Sequence, residues 1–93
     1  MQLGNRQLTC QASAAQIERV AQQLPRAVAV PRRKDLRCIY ESPCALACDW
    51  MYWSLWQAKV DEQVWVHCTG GIAGVDIWYG PGSPSVLAAL GAA

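Results

Sequence analysis

The sequence predicts a single α+β domain, with a mostly antiparallel sheet, two main helices on one face and a short helix at the C-terminal end. Three observations lead there. The chain has 93 residues, which suits one domain over residues 1–93. It is 53% hydrophobic and 16% charged, too apolar and too weakly charged for disorder. Short stretches of period two alternate with stretches of helical period from end to end, with no repeat and no low-complexity linker. The expected order is β-α-β-β-α-β-β-α, in the manner of a split β-α-β unit.

Each element has its own signal. Residues 6–11 read as a first strand, with Leu8 and Cys10 on one face. Ser13 and Gln16 have capping-box spacing, so a helix opens there. Ile17, Val20, Ala21 and Leu24 form its apolar stripe, and Pro25 stops it. Residues 27–30 and 36–41 read as a hairpin, with Pro31-Arg32-Arg33-Lys34-Asp35 as a polar turn carrying three positive charges. The first strand, the first helix and residues 27–30 would make a right-handed crossover.

Ser42-Pro43 is an N-cap followed by proline at the first helical position. It predicts a second helix reaching about Lys59, apolar almost all round, with Trp50, Trp53 and Trp56 recurring every three residues. Residues 63–68 and 75–79 read as a last hairpin around a glycine-rich turn. Pairing Val66 with Ile77 sends Val64, Val66, Cys68, Val75, Ile77 and Tyr79 to the core. Trp65, His67, Asp76 and Trp78 then share the opposite face, with the two indoles facing each other. Ser83-Pro84 caps a short last helix carrying Val86, Leu87 and Leu90, with Gly91 as its stop.

Net charge is +1, but it is unevenly spread. Residues 1–40 carry seven basic side chains against two acidic ones, and residues 41–93 carry one against five. The two halves can attract each other, or the basic turn can present a positive face. No apolar leader precedes residue 10, and the uncharged stretch 77–93 is interrupted by glycine and proline. A cytoplasmic protein with no membrane partner is expected. Five cysteines, an odd number, fit buried thiols better than a disulfide framework.

Four constellations could carry chemistry. His67-Cys68 followed by glycines is similar to the opening of the cysteine-phosphatase signature. That family's phosphate-clamping arginine, six residues after the cysteine, is Gly74 here, and a strand follows where the family has a helix. A glycine-rich hairpin turn explains the segment better. Cys38, Cys44, Cys48, His67 and Cys68 are ligand types for zinc, but no pair has the tight spacing of a zinc knuckle. His67 beside Asp76 is a base or pH-switch geometry that lacks a nucleophile. The surplus of tryptophan is the most telling, because Trp dominates interface hot spots.

The function expected from these residues is a small non-catalytic protein-binding module, an inhibitor or adaptor of a larger complex such as mobile elements encode. Its contacts would be Trp50, Trp53, Trp56, Trp65 and Trp78, with Arg32, Arg33, Lys34 and Arg37 docking an acidic patch. No cofactor and no metal is expected, and self-association is an allowed outcome. The alternative is nucleic-acid binding through the basic turn. A small enzyme or metal protein using His67 and Cys68 comes third.

Overall fold

The computed structural model describes residues 10–43 and 51–91. Strand β1 (Cys10–Gln11) leads into helix α1 (Ala14–Ala21). Ser13 caps the helix as its spacing predicts. Its Oγ accepts from the Gln16 N–H at 3.1 Å, and its own N–H donates to Gln16 Oε1 at 2.8 Å. Two amides that a helix start leaves bare are thereby satisfied. Ser13→Ala is expected to lower unfolding free energy by about 1 kcal/mol, read as a lower urea midpoint at unchanged slope. Ile17, Val20, Ala21 and Leu24 are all buried, as the stripe requires.

Four longer strands follow: β2 (Leu36–Glu41), β3 (Met51–Ala58), β4 (Val64–Gly70) and β5 (Val75–Gly82). They form one sheet in the order β1-β2-β3-β4-β5. The β1–β2 pair is parallel, with α1 between the two strands in sequence, and the other pairs are antiparallel. A 3-10 turn capped by Ser83 (Pro84–Leu87) then passes into the one-turn helix α2 (Ala88–Gly91). Ile17, Val20, Ala21 and Leu24, with Leu90 from α2, pack on Leu55, Val64 and Val66. Both helices therefore sit on one sheet face, and the class is α+β. Among the described residues no helix is long and apolar enough to cross a membrane.

The largest correction concerns residues 44–59, read as a second helix. Residues 51–58 are strand β3, at the centre of the sheet. The remainder of that reading, including Cys44, Cys48 and Trp50, lies outside the described residues. The misreading has a physical cause. A strand covered on both faces shows no polar alternation, so it looks apolar all round, like a buried helix. Its content of Tyr52, Trp53 and Trp56 suits a pleated surface. Trp53 and Trp56 therefore do not share a stripe: they point to opposite faces.

The first hairpin is also corrected. Residues 27–30 are not a strand, and β2 pairs with β3 instead. Only Arg26 touches the sheet as a bridge, opposite Tyr79 on the outer edge of β5. Gly80 N–H donates to Pro25 O and Ala27 N–H to Trp78 O there. Prolines 25 and 31 bracket a segment too short to hold a ladder, and Val28 is fully exposed. The chain must then travel from the β5 edge back to β2, so residues 27–35 cross the second face of the sheet as a strap. The expected basic turn is the end of this strap: a 3-10 turn (Arg33–Asp35) that enters β2.

The last hairpin holds, shifted by two residues. Val66 pairs with Tyr79 and Cys68 with Ile77. A shift of two preserves which face each side chain occupies. The shift places Trp78 opposite His67, so the two indoles are not cross-strand partners, and a bulge lies between Val64 and Val66. Gly80 stands beside that bulge at φ 140°, where a Cβ would lie 2.7 Å from Trp65 Cε3 and 2.9 Å from Val64 O. Only glycine lets β5 approach so closely.

Candidate binding site on the second sheet face

Strand alternation brings a distinct set of side chains to the face away from the helices. Cys38 and Glu41 come from β2, Tyr52, Ser54 and Trp56 from β3, and Trp65, His67 and Thr69 from β4. Asp76 and Trp78 come from β5. Register places Cys38 opposite Trp56, Glu41 opposite Ser54, Ser54 opposite His67, and His67 opposite Trp78. The strap lays Arg33 across the middle.

Arg33 makes the central contact. Its guanidinium carbon lies 4.9 Å from the Trp56 ring centre and 5.5 Å from the Trp78 ring centre. The two indoles are 6.2 Å apart and tilted by 52°, so they form two walls beneath the cation. Attraction between a cation and an indole face is worth about 0.5–1 kcal/mol at exposed positions. Two rings confine the guanidinium of a residue that is itself exposed at the surface.

Each wall is braced. Trp56 Nε1–H donates to Ser54 Oγ at 2.9 Å. Trp78 is stacked on the His67 ring, 4.2 Å between centres at 12°. His67 in turn is held by Asp76, with Nε2 2.6 Å from Oδ1. His67 is 8% exposed, whereas the Asp76 side chain is 71% exposed and keeps its carboxylate at the surface. Asp76 sits one position diagonal to His67, opposite Thr69, and still reaches the ring. At the other side Tyr52 donates its O–H to Glu41.

The remaining expected residues are dispersed. Trp65 is buried against Leu36 and Ala58, with Trp56, Trp78 and Ala27 around it. It forms part of the floor beneath the strap. It also lines a cavity of about 620 Å³ at the far end of the strap, with Pro31, Asp35, Asp61 and Pro81. Trp53 lies on the helix face, stacked on Tyr79 with ring centres 6.4 Å apart. Arg37 pairs with Gln57, and alternation from buried Leu36 turns it to that helix side as well. Arg32 and Lys34 are exposed on the strap beside Arg33. Cys68 is buried on the helix side while adjacent His67 points the other way, so the two do not converge. Among the described residues no three potential metal ligands gather.

The sequence reading missed Glu41, Tyr52, Ser54 and Thr69. The signal was the strand period itself, since Tyr52, Ser54 and Trp56 lie two apart. Comparison with protein-family models, with curated proteins and with solved structures gave no match.

Proposed function

We propose that this chain is a non-catalytic, cytoplasmic protein-binding module that engages an acidic segment of its partner through the strap-covered sheet face. The observation that carries the reading is the Arg33 guanidinium held on Trp56 and Trp78. Arginine and tryptophan are the residues in which interface energy concentrates. A guanidinium already confined by two rings loses little freedom when it takes a carboxylate in a two-bond fork. Arg32 and Lys34, exposed on either side, supply steering toward an acidic surface. His67 and Asp76 serve as the brace behind Trp78.

A protein segment fits this face better than a nucleic-acid backbone. The strap offers three cations in a row, Arg32, Arg33 and Lys34, with Glu41 lining the same small space as Arg33, which suits a short contact with one or two carboxylates and not a continuous track for a phosphate backbone. Arg37, which a basic footprint would need, faces the helix layer. The test is capture from lysate of the source, with and without nuclease, using the wild type and Arg33→Glu. The expected result is a stoichiometric protein that resists nuclease and falls about tenfold with Arg33→Glu. Capture lost to nuclease would instead assign the strap to nucleic acid. Capture indifferent to Arg33→Glu would remove the face from the contact.

A further inference from the structure

The same face holds a small cavity that shares Arg33 and Trp56 with the proposed partner contact and adds a carboxylate, Glu41, that the contact does not engage. It has a volume of about 270 Å³ and is lined by Arg33, Cys38, Glu41, Tyr52, Ser54, Trp56, His67 and Thr69. A guanidinium and a carboxylate thus share one small space. They are not paired with each other: the one ion pair among the described residues is His67 with Asp76. The rings of Tyr52, Trp56 and His67 line the same space. Two of the polar lining residues, Ser54 and His67, are buried and already held by neighbours. The walls are therefore fixed before anything enters.

From this geometry we propose that the cavity binds a zwitterion of free α-amino-acid size. Arg33, held between two indoles and in no ion pair, has N–H donors available for a carboxylate. Glu41 receives the Tyr52 hydroxyl on one oxygen and has the other available for an ammonium. The Tyr52 ring, which also lines the cavity, adds an aromatic surface for the ammonium. A zwitterion answers both charged walls at once, whereas a ligand of single charge answers only one. The volume lies just below the roughly 300–1,000 Å³ typical of larger organic ligands, which suits a small metabolite. This site shares Arg33 with the partner contact but stands independently of it.

The test follows the indole N–H signals of the whole chain by NMR while L-alanine, L-leucine or L-phenylalanine is added. At least one is expected to shift the Trp56 signal to saturation, with Kd of about 1 mM or tighter. Its N-acetyl derivative lacks the ammonium and its amide lacks the carboxylate. Each should bind about tenfold more weakly, as should the free amino acid to Arg33→Gln and to Glu41→Gln. The proposal is overturned if none of the three saturates, or if the blocked derivatives bind the wild type as well as the parent. The blocked derivatives test the wild-type chain, so an unfolded variant does not spare the proposal. Partner capture that depends on Arg33 while no amino acid binds would leave the partner-binding reading intact.

Discussion

Leu55→Ala is expected to destabilise the domain by about 3 kcal/mol. Leu55 is fully buried where β3, the central strand, meets the helix layer, among Ile17, Val20, Val64 and Val66. Truncation removes its contacts and leaves a cavity, because a β-sheet cannot close on the missing volume. In a domain of this size the melting temperature should fall by roughly 12–24 °C. Val60→Ala is the control: Val60 is 90% exposed in the β3–β4 turn, and its loss should stay within about 0.5 kcal/mol. Thermal and urea unfolding of both variants check the pair. Equal, small effects would place β3 outside the core.

Trp78→Ala is expected to weaken partner binding by about 2 kcal/mol, some thirtyfold in Kd. Trp78 forms one wall under Arg33, covers His67, and packs against the Leu36, Ala58 and Trp65 cluster. Its removal frees the guanidinium to move and strips the edge of the contact surface. Because the ring is half-buried, the same change lowers stability. Trp78→Phe separates the two effects, retaining a flat ring for the cluster while offering the cation a weaker face. Binding measured on chains shown to be folded should fall in the order wild type, Trp78→Phe, Trp78→Ala. A folded Trp78→Ala that binds as the wild type does would contradict the assignment.

Local signals in the sequence were dependable where one physical rule acted alone. The Ser13–Gln16 cap, the stripe of α1 and the paired faces of β4 and β5 each follow from spacing over a few residues. The α+β class followed from the same signals. The readings that changed depended on distant structure. Whether residues 51–58 are helix or strand turns on both their faces being covered, by α1 on one side and the strap on the other. Nothing within those eight residues states that. Residues 27–30 alternate like a strand, but the edge they would need is already taken by the β2–β3 pairing.

The candidate site was half legible for the same reason. Trp78, His67 and Asp76 were placed on one face by the period of two, and the face was right although the pairing was shifted. Trp65 was assigned to that face correctly, but its burial comes from Leu36, Ala58 and the strap residue Ala27, which belong to other elements of the chain. The meeting of Arg33 with Trp56 and Trp78 joins three elements far apart in the chain. It arises because the strap must cross the sheet to connect the β5 edge with β2, a consequence of topology that no local pattern carries.

The measurement that bears most directly on the binding face is the set of tryptophan indole N–H signals, recorded before and after adding the captured partner and assigned through single Trp→Phe variants. Binding at the strap-covered face should move or broaden the signals of Trp56 and Trp78 and leave Trp53, on the helix side, in place. Perturbation of Trp53 with Trp56 and Trp78 unchanged would contradict the account and move the contact to the opposite side of the sheet.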